Sequence, residues 1–400
     1  MKCSDSTAWR FHQVRLGDHN FHSQAVEICL QIMKTSPKDI ALMHSLLPNK
    51  YKADTAVLYA WCRRIYDMTD QLPDHEKSEA IERFEHELEA IYSKNISVII
   101  TENKVLIAFR ELVRRRRIPK YYTQEFLEGI KMDILGTTYP NVYILYKYCF
   151  RVSSILGLMF CHIVGVRDPR ALSHIAHMGI AIHLTKICNS VRNHWKRDRL
   201  YLPMDMLKAQ NSNVTLNDCC DSEMDFTSPS DTLISNYTSV TDSMNWESDQ
   251  TFTELNVPTL FLQTSQTVIP TLQTLAELHY DQGVIGLKYL PWRASLTIDA
   301  MSKVYQSMGR SITKDQLMTN RAKKKIKHIF LWRIVLSSAL IGGCKYLFSS
   351  RLSRLHRFPV QIPMYMLLFE HLMRDIQSKE ADELNHSIKK TWTSYFDEAK

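Results

Sequence analysis

The sequence predicts an all-α fold. Apolar residues recur at helical spacing along most of the chain, strand-like alternation is hard to find, and only 11 glycines and 13 prolines interrupt 400 residues. A composition of 45% hydrophobic and 23% charged residues is typical of a globular chain with a large buried core. Long helical patterns with few breakers favour a single domain over residues 1–400.

Helical periodicity is regular enough to predict individual helices. In the first part of the chain it predicts helices at 26–43, 54–70, 77–91, 96–117, 123–135 and 141–164. A further helix is predicted to run from residue 169 to 201. Within it, positions 186, 190 and 194 are four apart, which predicts that Lys186, Ser190 and His194 share one face.

Two segments differ from the rest of the chain. Residues 204–256 are acidic and rich in Ser, Thr, Asn and Asp, which predicts a mobile insertion. Residues 328–400 are predicted to form divergent C-terminal helices. Their apolar run Ile334–Cys344 is too short to span a bilayer, which needs about 20 residues. We interpret it as a buried core helix, with peripheral contact with an anionic membrane as the alternative.

Charge and cysteine content limit the classes of binding partner and the cellular compartment that we expect for the protein. The net charge of +8 is concentrated in basic runs at 114–117, 196–199 and 321–327, which suit solvated helix faces or an anionic partner. Nucleic-acid binding is not expected, because it requires such charges on one face together with exposed aromatic rings. The 9 cysteines show no zinc-like spacing, and the N-terminus lacks the apolar run of a signal peptide. We expect a cytoplasmic protein, with attachment to the inner face of a membrane as the alternative.

Several motifs occur in the order and spacing of one family. Ser45–Asp70 reads SLLPNKYKADTAVLYAWCRRIYDMTD, and it is followed by EGIKMDI, YKYCFRVSSILGLM, AHMGIAIHLTKI and RLYLP. After the predicted insertion, Glu277–Arg310 reads ELHYDQGVIGLKYLPWRASLTIDAMSKVYQSMGR. These segments cover most of residues 35–327 and resemble the squalene/phytoene synthase family. The resemblance implies the isoprenoid (terpenoid) synthase fold, a helical bundle around a central cavity.

The resemblance also implies a reaction of prenyl diphosphates. Members of the family join two allylic diphosphates, such as farnesyl or geranylgeranyl diphosphate, head to head. Ionising a C–O bond in an apolar cavity requires that the departing diphosphate be neutralised, and Mg²⁺ held by carboxylates on facing helices does this. The resemblance leaves open whether NADPH is used and which protein partners the chain has.

The first Asp-rich motif of the family is half retained. Tyr66 replaces its leading acid, while Asp67 and Asp70 remain as weak candidate ligands for Mg²⁺. Because an arginine fork suits bidentate contact with phosphate oxygens, Arg64 is a candidate substrate-binding residue. By resemblance, the candidate catalytic residues are Tyr59, Arg63, Asp67, Asp70 and Tyr148.

The second Asp-rich motif has lost its acids. The family pattern expects Gln, Asn, Asp and Asp at positions 183, 186, 190 and 194, and none of them is present. The face that would hold Mg²⁺ has therefore become cationic or neutral. In the second motif and the segments that follow it, the candidate substrate-binding residues are His183, Lys186, Ser190, His194, Arg199 and Tyr280.

Three interpretations of this change remain open. In the first, the chain is a non-catalytic pseudoenzyme that acts as a binding or assembly factor, because metal affinity depends on the number of ligands. In the second, Lys186, Arg192 and His194 neutralise a prenyl diphosphate directly, and the chemistry is altered. In the third, Mg²⁺-dependent condensation survives. The only acids nearby that could rescue the second motif are Asp168 and Asp198, and neither begins a four-spaced acidic pair.

Overall fold

A computed structural model describes the main helical part of the chain. The described residues are 19–71, 73–94, 100, 103–166, 168, 170–197, 199–214 and 259–311. The predicted C-terminal helices at 328–400 lie outside these ranges, as does most of the predicted insertion.

The described ranges contain helices and no strands, which confirms the all-α prediction. In chain order the α-helices are α1 His19–Lys34, α2 Lys38–Leu46, α3 Asn49–Gln71, α4 Lys77–Tyr92, α5 Lys104–Arg116, α6 Lys120–Ile134, α7 Val142–Cys149, α8 Ile155–Val164, α9 Ala171–Asn189, α10 Val191–Trp195, α11 Met204–Val214, α12 Thr259–Gly286 and α13 Trp292–Arg310. Short 3₁₀ turns precede α4 and α13.

The helix predicted at 26–43 is two helices. α1 ends at Lys34, and Pro37 precedes α2 in an extended conformation, with φ −50° and ψ 147°. Proline lacks an amide donor, and its ring disfavours a helical conformation in the residue before it. The break allows α2 to pack against α13, where the hydroxyl of Tyr305 donates to Oδ2 of Asp39 at 2.7 Å.

A π-helical turn interrupts the helix predicted at 141–164. The turn, Phe150–Ser154, joins α7 to α8 and packs against α9. At the crossing, a Cβ on Gly179 would lie within 2.6 Å of the amide nitrogen of Ser154, so only glycine permits this approach. The whole segment Val142–Val164 is long and apolar enough to cross a membrane by length and composition, but 61% of its most apolar window is buried within the bundle.

α9 is the central helix of the described bundle. It packs against α7, α8, α12 and α13 as well as the π-turn. Between positions 175 and 188 every residue of α9 is buried except His183 and Lys186, which remain partly exposed. These two positions are three apart and therefore lie on one side of the helix.

A helix replaces the first part of the predicted mobile insertion. The backbone amides of Met204 and Asp205 donate to the carbonyls of Tyr139 and Pro140 at 2.8 and 3.1 Å, and Leu207 is fully buried. These contacts fix the first turn of α11 to the bundle. The remainder of the predicted insertion lies outside the described residues.

Candidate functional site

One face of α3 brings together three of the predicted catalytic residues. Tyr59, Arg63 and Asp67 are four apart, so they are stacked along the helix. Nε of Arg63 donates to both carboxylate oxygens of Asp67 at 2.7 and 2.8 Å, and a terminal nitrogen donates to the hydroxyl of Tyr59 at 3.4 Å. Burial raises the pKa of Tyr59, and the bond to Arg63 opposes this shift. The cation of this face is therefore already paired with an acid of the same face.

The other two predicted residues of α3 lie elsewhere. Asp70 is in the last turn of the helix, and its side chain is outside the described part of the structure. Arg64 donates from both terminal nitrogens to the two carboxylate oxygens of Glu87 on α4, each at 2.6 Å. This pair borders a cleft of about 530 Å³ between α3, α4 and α5. Substrate binding by Arg64 stays a prediction, but here the guanidinium is held by a buried carboxylate.

The helix predicted at 169–201 is broken at Ser190, and the prediction of one continuous face was wrong. α9 ends at Asn189, and Ser190 has φ −127° and ψ 17° before α10 begins. The amide of Ser190 donates to the carbonyl of Ile187 at 3.1 Å, which tightens the last turn. Asn and Ser are weak helix formers, because their side chains compete for backbone groups. As a result His194 is not one further turn along the face of Lys186.

Lys186 carries a partly exposed cation that no acceptor holds. Its ammonium lies over the ring of Tyr305, 5.1 Å from the centroid. It forms no hydrogen bond with any part of the chain that the structure describes. Burial lowers the pKa of Lys186, and the negative charge of Asp39, which accepts from the Tyr305 hydroxyl, opposes this shift.

Tyr148 belongs to a group of three tyrosines around Asp133, which we call the tyrosine cluster: Tyr139, Tyr148 and Tyr201. The hydroxyls of Tyr148 and Tyr201 donate to the two carboxylate oxygens of Asp133 at 2.9 and 2.7 Å. The ring of Tyr139 packs against both of the other rings, with centroids 5.5 and 5.7 Å away. Asp133 was not among the predicted site residues, although it lies in the family-like motif EGIKMDI.

The two histidines of the second motif pack on this cluster. The ring of His183 contacts Tyr148 edge to face, with centroids 5.3 Å apart, and His194 contacts Tyr201 in the same way at 4.7 Å. Burial holds the pKa of His183 well below its ordinary value, and neighbouring basic side chains add to this effect. Burial raises the pKa of Tyr201, and the positive charge of Arg199 opposes the shift. The structure thus places His194 and Arg199 beside the tyrosine cluster.

Tyr280 has a packing partner in the core. Its side chain is 1% exposed, and its hydroxyl lies 3.1 Å from Oγ1 of Thr185. Because the hydroxyl of Thr185 donates to the carbonyl of Ala181 at 2.9 Å, it accepts from Tyr280. The bond connects α12 to α9, and the predicted contact of Tyr280 with substrate stays a prediction.

A buried histidine pair also joins α9 to α12. Nδ1 of His177 lies 2.8 Å from Nδ1 of His279. When both rings are neutral, one nitrogen donates and the other accepts. Burial lowers the pKa of His177 to about 4 and that of His279 well below its ordinary value. The sequence offered no signal for this pair, whose members are 102 positions apart.

The described residues do not fit a magnesium site. Mg²⁺ requires converging oxygen ligands, but Nε of Arg63 occupies both oxygens of Asp67. At position 186 the chain has an ammonium and no ligand oxygen. Over the described ranges no group of three or more His, Cys, Asp or Glu side chains could hold a metal ion.

Comparison with known proteins identifies relatives of the whole bundle. The family described as squalene/phytoene synthase matches residues 33–245, more than half of the chain. The 15-cis-phytoene synthase of Paracoccus sp. (strain N81106 / MBIC 01143) is 26% identical over 280 residues, which cover 69% of this chain and 78% of that protein. That of Pantoea ananas is 28% identical over 189 residues, 46% of this chain and 61% of that protein. The chloroplastic phytoene synthase 2 of Solanum lycopersicum is 31% identical over 192 residues, 45% and 58% of the two chains.

Solved structures support the fold. A dehydrosqualene synthase in complex with a ligand superposes with a TM-score of 0.60 at 16% identity, covering 82% of this chain and 98% of that one. The squalene synthase HpnC from Alicyclobacillus acidocaldarius gives a TM-score of 0.56 at 13% identity, with coverage of 74% and 96%. These similarities confirm the isoprenoid synthase bundle predicted from the motifs. Together with the family match over residues 33–245, they show that the chain belongs to the squalene/phytoene synthase family.

Proposed function

We propose that this chain binds a prenyl diphosphate inside its helical bundle without Mg²⁺, and that Mg²⁺-dependent head-to-head condensation has been lost. Prenyl diphosphates are the ligands implied by the family. The observation that carries the proposal is the ammonium of Lys186, which stands where the family pattern expects a neutral amide and forms no hydrogen bond in the described part of the chain.

A partly desolvated ammonium without a hydrogen-bond acceptor is unfavourable. Transfer of a charged group out of water is unfavourable unless a counter-charge or hydrogen bonds replace its hydration. The Tyr305 ring offsets part of this cost through the cation–π contact. Phosphate oxygens would supply the missing acceptors, and charge-assisted hydrogen bonds to them are among the stronger ones in proteins.

The acids Asp39 and Asp67 do not replace the lost ligands. Asp67 is held by Arg63, and Asp39 accepts the hydroxyl of Tyr305. Each of these carboxylates therefore has a partner in the protein, whereas the ammonium of Lys186 forms no hydrogen bond with the described residues. An anionic ligand suits this arrangement better than a divalent cation does.

The test is calorimetric titration of the full chain with farnesyl and geranylgeranyl diphosphate, in EDTA and in Mg²⁺. We expect binding in EDTA, and we expect Lys186→Ala to weaken it by about 10- to 100-fold, the effect of losing a hydrogen bond to a charged group. Lys34→Ala removes the same charge from an exposed site on α1 and should leave binding unchanged. Product analysis of the same samples should detect no condensed hydrocarbon.

Other outcomes would contradict the proposal in different ways. Binding that requires Mg²⁺, or condensed product in its presence, would mean that the family reaction survives. Absence of binding in either condition would favour a role as a binding or assembly factor for another protein. Equal binding by the Lys186→Ala variant would show that another group holds the diphosphate.

A further inference from the structure

We propose that His183 is the base of a metal-independent elimination, in which a bound prenyl diphosphate loses diphosphate and one proton and becomes a hydrocarbon with a terminal conjugated diene. This inference rests on the proposed binding of prenyl diphosphates. It adds a reaction that differs from condensation, because one substrate molecule is consumed and no bond between two prenyl chains is formed.

His183 and Lys186 face the same space. α9 is packed on its other sides by the surrounding helices, and over positions 175–188 only these two residues are partly exposed. A separation of three residues places both side chains on one side of the helix, within one turn of each other. A ligand whose diphosphate contacts Lys186 therefore has the first carbons of its prenyl chain near His183.

The imidazole of His183 is available as a base. Neither ring nitrogen forms a hydrogen bond within the described ranges, and the imidazole packs against the ring of Tyr148 with centroids 5.3 Å apart. The hydroxyl of Tyr148 is directed to Asp133 and so does not protonate the imidazole. Burial and the nearby charge of Lys186 lower the pKa of His183, so the ring is neutral at physiological pH. A neutral imidazole with open nitrogens can accept a proton.

The reaction balances without a further reagent. The bond between C1 and oxygen breaks, and its electron pair leaves with the diphosphate, whose charge faces the ammonium of Lys186. The remaining allylic cation then loses a proton from the carbon attached to C3, and that proton goes to a nitrogen of His183. The C–H electron pair becomes a new C=C bond conjugated with the existing one. The products are a polyene, diphosphate and a proton that the imidazole later releases to solvent.

The surroundings favour deprotonation over capture of the cation by water. The ring of Tyr148 packs against the imidazole and is 3% exposed. Aromatic rings stabilise nearby positive charge, and a prenyl chain bound over this partly exposed position would exclude water from the cation.

The experiment uses the full chain, farnesyl diphosphate and EDTA, with headspace analysis for farnesene-type hydrocarbons and a separate measurement of released diphosphate. We expect diene and diphosphate in equal amounts from the wild-type protein. His183→Ala should lower the rate at least 100-fold, the usual contribution of a general base. Its affinity by calorimetry should stay within about threefold of wild type, since Lys186 still holds the diphosphate.

A second readout separates proton transfer from a merely structural role. Farnesyl diphosphate that carries deuterium on both carbons attached to C3, other than C2, should react more slowly than the unlabelled substrate in the wild-type protein. This isotope effect would show that loss of the proton limits the rate. Free imidazole should then restore part of the rate of His183→Ala, whereas it would not restore a variant that has lost only packing. Lys34→Ala is again the matched control and should give the wild-type rate.

Each alternative result has a distinct meaning. Binding without any diene would overturn the elimination and leave the proposed binding function intact. Farnesol as the only product, or a diene rate unaffected by His183→Ala, would also overturn the role of His183. Absence of binding would overturn the proposed function and the elimination together.

Discussion

Replacement of Arg64 by methionine separates a structural arginine from a substrate-binding one. Two hydrogen bonds of 2.6 Å join its guanidinium to Glu87, and the two side chains are only 16% and 7% exposed. Removing one partner of a buried ion pair typically costs about 3–5 kcal/mol, because the other charge is left without compensation. Since Arg64 keeps some contact with solvent, we expect the lower end of this range, about 3 kcal/mol.

The assay is thermal and urea unfolding followed by circular dichroism. At about 2–4 °C per kcal/mol for a large domain, the unfolding temperature should fall by about 6–12 °C. A double variant, Arg64→Met with Glu87→Leu, should recover much of this loss because no unpaired charge remains. As a control, Arg170→Met breaks an exposed pair with Asp168 and should leave the unfolding temperature almost unchanged.

The affinity for farnesyl diphosphate decides whether Arg64 has a structural role or binds substrate. At a temperature where the Arg64→Met variant is folded, we expect its affinity for farnesyl diphosphate to remain within about twofold of wild type. The reasoning is refuted if this variant unfolds like the wild-type protein and loses binding. In that case Arg64 contacts the ligand, and the pair with Glu87 contributes little to the stability of the bundle.

Three further predictions concern the core. Gly179→Ala should lower the free energy of unfolding by about 3 kcal/mol, because the new Cβ would meet the backbone of the π-turn. The control Gly136→Ala places a Cβ in open space at φ +59° and should lower it by about 1 kcal/mol. Equal losses in the two variants would contradict the packing argument. Asp133→Asn should cost about 2 kcal/mol because two tyrosine hydroxyls lose a charged acceptor, as urea unfolding would measure. Stability should be constant above about pH 6.5 and fall towards pH 4, because the unfolded chain binds protons at buried histidines that the folded chain rejects. His177 alone should contribute about 3 kcal/mol to this fall, and the lowered pKa values of His183 and His279 should add to it. His279→Gln should change the slope, and a flat profile of unfolding temperature against pH would exclude the buried pair.

The fold was predictable because its helices are long and strongly amphipathic, but the breaks between them were not. Pro37 marks one break in the sequence. Ser190 marks another, yet Asn and Ser lower helix propensity only modestly, so the pair does not by itself predict a break. The π-turn at Phe150–Ser154 depends on the close approach of Gly179, and periodicity along one helix carries no information about the helix that packs on it.

The candidate site, like the fold, was predictable only where its contacts lie within one helix. The contacts of Arg63 with Tyr59 and Asp67 follow from four-residue spacing on one helix, so local reasoning was sufficient to group them. Asp39 and Tyr305 meet although they are 266 positions apart. Their contact depends on the break before α2 and on the packing of α2 against α13, which one sequence does not reveal.

The substitution at position 186 does more than remove a ligand. At an effective dielectric constant of about 20, a Mg²⁺ about 5 Å from an ammonium would be repelled by about 7 kcal/mol. Lys186 therefore opposes metal binding directly, whereas Ser190 merely fails to contribute a carboxylate. His194 lies beyond the break in the helix and packs on Tyr201. Under the proposed function, the ammonium of Lys186 takes the place of Mg²⁺ as the positive charge that contacts the diphosphate.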